Sequence, residues 1–100
     1  MINRVLNYPN PFTTRTQFWF EHNRPTQDLF VQIHIYSLTG RIIKKINKTI
    51  NTSGNRSCEL EWDGRDDFGN KLGRGVYIYR VHVRTAQGHA KSIVEKMVIL

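Results

Sequence analysis

The residues able to act as ligands, nucleophiles or bases are few and scattered. Cys58 is the only cysteine among 100 residues, so no disulfide can form within the chain and cysteine usage indicates no redox compartment. It stands in Cys58-Glu59-Leu60-Glu61-Trp62, where alternation puts it with Leu60 and Trp62 on an apolar face. That setting predicts a packed thiol rather than a nucleophile, which needs an electropositive and partly open site. His22, His34, His82 and His89 show no spacing by which imidazoles share a metal, and His34 and His82 fall on polar strand positions. Asp63, Asp66 and Asp67 gather hard oxygens as calcium would require. Their spacing is not that of an EF-hand, and Arg65 offsets their charge. Aspartates that cap their own turn fit better in Asp63-Gly64-Arg65-Asp66-Asp67-Phe68-Gly69-Asn70, a run of turn formers. Without a Gly-rich phosphate loop, a triad or a protected carboxylate pair, the sequence reads as non-enzymatic, with no cofactor and no metal.

Charge is the other chemical feature. Fifteen Lys and Arg against eight Asp and Glu give a formal +7. Nucleic-acid binding by counterion displacement would call for clustered cations beside stacking aromatics. Here Arg41, Lys44, Lys45 and Lys48 form one loose group, while Arg74, Arg80, Arg84, Lys91 and Lys96 are spread along later segments. Most aromatics sit on alternating positions suited to burial. The expectation is no nucleic-acid partner, with a solvated basic surface preferred to an acidic partner surface or anionic headgroups. No segment approaches the ~18 consecutive apolar residues of a spanning helix, so no integral membrane segment is expected. Met1 opens no basic-then-apolar leader, and the chain is expected to be a piece of a larger protein.

The elements that must position these residues repeat with period two nearly throughout. Strands are predicted over Ile2 to Asn7, Gln17 to His22, Leu29 to Ser37, Arg41 to Asn47, Ser57 to Asp63, Val76 to Arg84 and Ser92 to Leu100. Pro9 and Pro11 end the first and blunt its edge. In the third, Leu29, Val31, Ile33 and Ile35 face one way, and Phe30, Gln32, His34, Tyr36 and Ser37 the other. Leu38-Thr39-Gly40 turns the chain, Asn51 to Asn55 is loop, and Gly88 serves the last turn. Seven short strands predict an all-β, immunoglobulin-like antiparallel sandwich forming one domain over residues 1–100. Its predicted interior is Phe18, Phe20, Val31, Ile33, Ile35, Leu60, Trp62, Tyr77, Tyr79 and Val81.

Four pieces carry a resemblance. They are Tyr8-Pro9-Asn10-Pro11-Phe12; Val31 to Gly40-Arg41; Trp62-Asp63-Gly64-Arg65-Asp66 with Gly69 and then Gly75-Val76-Tyr77-Ile78-Tyr79-Arg80; and Lys96-Met97-Val98-Ile99-Leu100. In this order they resemble the type A sorting domain at the C-terminus of type IX secretion cargo, across essentially the whole chain. The resemblance implies a translocation signal that passes the periplasm to the outer membrane and cell surface. Its implied partners are the outer-membrane translocon and its shuttle protein. It belongs either to cargo or to a retained machinery component such as the sortase PorU, a cysteine peptidase whose catalysis would lie outside these residues. The residues expected to be read by the partner are Lys96, Met97, Val98, Ile99 and Leu100, with Gly75, Tyr77, Gly40 and Arg41. A strand that closes the chain offers itself to a receptor by strand addition, and a weak homodimer is an allied expectation. Two rivals belong to other classes. One is a scaffold domain like that of the flagellar hook-capping protein FlgD, which Trp62 to Tyr79 also resembles. The other is a carbohydrate-binding module built on exposed Trp19, Phe30 and Tyr36.

Overall fold

Alternating apolar residues with β-branched and aromatic neighbours make every element a strand. The computed structural model describes residues 2–22, 28–51 and 57–100, with side chains over 5–21, 28–50 and 60–100. The strands are β1 (Ile2–Tyr8), β2 (Thr16–His22), β3 (Asp28–Tyr36), β4 (Ile42–Asn51), β5 (Ser57–Trp62), β6 (Gly75–Thr85) and β7 (Ala90–Ile99). A three-stranded sheet in the order β1-β2-β5 covers a four-stranded sheet in the order β4-β3-β6-β7, and every strand pair is antiparallel. This is the immunoglobulin-like sandwich that the sequence predicts.

The core lies between the sheets. Phe18, Phe20, Leu29, Val31, Ile33, Ile35, Trp62, Tyr79, Val81 and Val83 are buried, joined by Val5, Phe12, Met97 and Ile99. Phe18 is its hub: its ring meets Tyr79 edge-on at 4.9 Å between centroids and stacks on Trp62 at 6.0 Å. Burial and the nearby Glu95 carboxylate both push the Tyr79 phenol upward, so it remains protonated. Leu60 and Tyr77, expected inside, are half-buried and pack against the rim of the core.

Three further expectations change. β4 runs on to Asn51, which pairs with Asp28, so the loop placed at Asn51 begins later. Ile50 packs on the core and draws that extension into the sheet. Ser37 lies beyond β3, where its hydroxyl accepts from the Arg41 amide at 3.2 Å. The carbohydrate platform does not assemble: Trp19 is half-buried on the three-stranded sheet, while Phe30 and Tyr36 are half-buried on the other. The remaining loop residues 52–55 and the side chains of His22 and Cys58 lie outside the described residues.

Candidate functional site

β7 is an edge strand, and its last residues are where the chain must manage unpaired peptide groups. Met97 pairs with Tyr77 and Ile99 with Gly75, and the Met97 and Ile99 side chains are buried. Alternation therefore turns Lys96, Val98 and Leu100 the other way, and Lys96 and Leu100 are exposed. Four outward peptide groups of this segment have partners. The Val98 amide donates to Asn10 Oδ1 at 2.9 Å, and Asn10 Nδ2 donates to the Lys96 carbonyl at 3.4 Å. One side-chain amide thus takes the place of a peptide group in a neighbouring strand. The Phe12 amide then donates to the Val98 carbonyl at 3.1 Å, and the Leu100 amide donates to the Phe12 carbonyl at 2.8 Å. Phe12 and Ile99 form a parallel bridge.

Local chemistry holds this clamp in place. Thr16 is buried at the start of β2, and its hydroxyl donates to the Pro9 carbonyl at 2.9 Å while accepting from Asn7 Nδ2 at 3.3 Å. The Tyr8–Pro9 and Asn10–Pro11 peptide bonds are cis. Phe12, 3% exposed, drops its ring edge-on to Trp62 at 5.8 Å. Gly64 makes room for that ring: its φ is +76°, and a Cβ there would stand 3.4 Å from Phe12 Cε2. Trp62 Nε1 donates to the Arg65 carbonyl at 3.0 Å, which binds the following turn to the same aromatic.

That turn is capped by its own aspartates, as expected. Asp66 Oδ1 accepts from the Phe68 and Asn70 amides, both at 2.9 Å, and Asp63 Oδ1 accepts from the Arg65 amide at 3.2 Å. Asp67 pairs with Lys44 at 3.4 Å. Among the described residues no three His, Cys, Asp or Glu side chains come together as a metal site.

The residues predicted for partner recognition are thus largely gathered. Gly75 and Tyr77 lie directly against Ile99 and Met97, and the Tyr77 hydroxyl donates to the Gly73 carbonyl at 2.7 Å. Gly40 and Arg41 occupy the β3–β4 turn at the same end of the sandwich, but across β6 and β3 from β7. The sequence reading missed Asn10 and Phe12 as members of the site. Tyr8 to Phe12 is one of the four pieces of the resemblance, and its local structural role is read there as ending a strand and blunting an edge. The overlooked signal was a large apolar residue, Phe12, placed directly after a proline pair.

Two antiparallel sheets with a closing strand fastened by a proline-rich segment define an immunoglobulin-like sandwich of the sorting-domain kind. The chain belongs to the secretion system C-terminal sorting domain family, whose model matches residues 7–99. That span runs from the residue before the clamp to the end of β7. The chain is similar to the structure of dimeric latent PorU from Porphyromonas gingivalis, at 33% identity and a TM-score of 0.84. The likeness covers 96% of this chain and 9% of that one. FlgD from Xanthomonas campestris, described in connection with hook capping in flagellar assembly, shares 18% identity at a TM-score of 0.65, covering 97% of this chain and 64% of that one. FlgD from P. aeruginosa gives 19% and 0.62, covering 84% and 60% respectively. The FlgD likeness is one of fold. No curated protein sequence matches the chain. The chain is a type IX secretion sorting-signal domain, and the scaffold alternative gives way.

Proposed function

We propose that the Lys96 to Leu100 end of β7 is the part of this sorting signal that the type IX machinery reads, with the outer-membrane translocon and its shuttle protein as partners. The observation that carries this reading is the clamp. Two of the family's sequence pieces, 86 to 88 residues apart, meet through Asn10 and Phe12 and fix the strand end in one geometry. Strand addition at this end would have to displace the clamp, because the outward amides of Val98 and Leu100 are already engaged. Recognition therefore uses the outward side chains of Lys96, Val98 and Leu100, with Gly75, Tyr77, Gly40 and Arg41 shaping the same end. Residues 1–100 act as one domain that contributes no catalysis and travels through the periplasm to the outer membrane and cell surface. A weak homodimer would pair along the outer edge of β7 at Ser92 and Val94, beyond the clamp.

The 33% identity with PorU favours a parent of the sortase kind over ordinary cargo. In such a parent the domain stays attached, and the mass of the surface-exposed parent would include it. The recognition reading is tested by fusing the domain to a periplasm-directed reporter in a type IX-competent cell. Lys96→Ala and Leu100→Ala change exposed side chains and leave the backbone bonds of the clamp in place, so both variants keep the fold. Surface delivery of the intact fusion with periplasmic retention of these folded variants is the expected result. Normal export of both would overturn the reading.

A further inference from the structure

The outer face of the four-stranded sheet is a grid of cations without matching anions. Register places Lys45, His34, Arg80 and Val94 in one row across β4, β3, β6 and β7. The next row is Ile42, Tyr36, Ile78 and Lys96; on the other side follow Asn47, Gln32, His82 and Ser92, then Thr49, Phe30, Arg84 and Ala90. Lys45, Arg80, Arg84 and Lys96 therefore share a face. Among the described residues none of these four is in a salt bridge. The carboxylate of the same parity, Asp28, sits at the first residue of β3, beyond Phe30, and Glu95 has the opposite parity; Asp67 reaches the Lys45 amide at 3.5 Å from the turn at the β4 edge, but its ion pair is with Lys44. A merely solvated surface intersperses both signs; this one does not.

Two further observations concern the arginines. Arg80 is half-buried with its Nε inaccessible and unpartnered within the chain, so only the rest of its guanidinium can meet a partner. Arg84 Cζ lies over the Phe30 ring, 5.1 Å from its centroid, which puts an arginine and an aromatic together on this face. The His34 imidazole, in the row of Lys45 and Arg80, is pushed below its ordinary value by burial first and then by the charges of Arg80, Lys45 and His82.

We infer that this face docks an acidic protein partner, one whose carboxylates are set among apolar side chains. The apolar residues argue for protein over a membrane or nucleic acid. Tyr36, Ile42, Ile78 and Val94 lie between the cations at fixed sheet spacing, as in interfaces where arginine and aromatic residues anchor contact. An anionic bilayer or a polyphosphate is served by the cations alone, and the apolar rows set between them give a protein partner contact that neither needs. The face goes beyond the strand-end signal, although Lys96 touches both.

The test titrates the isotope-labelled chain with an acidic peptide in which glutamates alternate with apolar residues, followed by NMR. Saturable shifts centred on the outward positions of β3, β6 and β7 are expected, weakening with salt. Lys45→Gln with Arg84→Gln, both exposed, should weaken binding about tenfold. Lys71→Gln with Arg74→Gln removes the same charge elsewhere and should leave binding unchanged. Equal weakening by both pairs, shifts on the three-stranded sheet, or no peptide binding would overturn the proposal. So would binding confined to phosphatidylglycerol vesicles or duplex DNA.

Discussion

The two ends of this sandwich are built differently. At one end, β6 turns into β7 through Thr85 to His89, a tight hairpin closed by the Thr85 amide donating to the His89 carbonyl at 2.8 Å and the Gly88 amide donating to the Thr85 carbonyl at 3.1 Å. It needs only local bonds. At the other end, segments far apart in sequence lock together: Asn10 and Phe12 on β7, Phe12 on Trp62, Gly64 beneath Phe12, and Thr16 on Pro9. A hairpin end can vary as long as it turns. An end held by long-range, chemically specific contacts permits few substitutions, and three of the four family pieces converge on it. Those contacts hold the strand terminus in one position.

The largest expected effect comes from emptying the aromatic junction. Trp62→Ala should destabilise the domain by about 3–5 kcal/mol, since it removes the partner of both Phe12 and Phe18. Chemical denaturation would show it as a lower midpoint, and a midpoint within error of the parent would break the contrast between the ends. Gly64→Ala comes next, at about 1–2 kcal/mol, because alanine must adopt positive φ with its Cβ against the Phe12 ring. Asn10→Ala should cost about 1 kcal/mol through loss of the Val98 and Lys96 bonds. Gln87→Ala, in the opposite hairpin, should lie within about 0.5 kcal/mol of the parent.

These residues also show how much of the molecule was legible. All seven strands follow from alternation, because burial of one face imposes a period of two. The aspartate-capped turn was legible for the same local reason. The clamp was not. A side-chain amide standing in for a peptide group 86 and 88 residues away leaves no periodic trace, and Asn10 looks like any turn residue. Met97 and Ile99 were read as signal, whereas their side chains belong to the core and the outward surface is left to Lys96, Val98 and Leu100. Leu60 and Tyr77 alternate correctly but are only half-buried. Period predicts a face, not its coverage.

The smallest effect is one of pH. His34 binds its proton less readily in the folded chain than when unfolded, so the unfolded state takes up more protons as the medium is acidified. Stability should be full above the ordinary histidine value and decline slightly as pH falls through it. In His34→Gln that decline should be shallower, as measured by thermal midpoints at neutral and mildly acid pH. An unchanged slope would remove the link between His34 and its cationic neighbours.

The account rests on β7 being closed at its end and open before it. Ser92, Val94, Val98 and Leu100 all turn their amides to the outer edge by the alternation of the ladder. Among the described residues the last two have partners, Asn10 and Phe12, while Ser92 and Val94, like Lys96 between the pairs, have none. Amide hydrogen exchange on the native domain separates these pairs directly. The account predicts slow exchange at Val98 and Leu100, fast exchange at Ser92 and Val94, and loss of the Val98 protection in Asn10→Ala. Equally fast exchange at all four amides in the parent would mean that the strand end is not held, and would contradict the central claim.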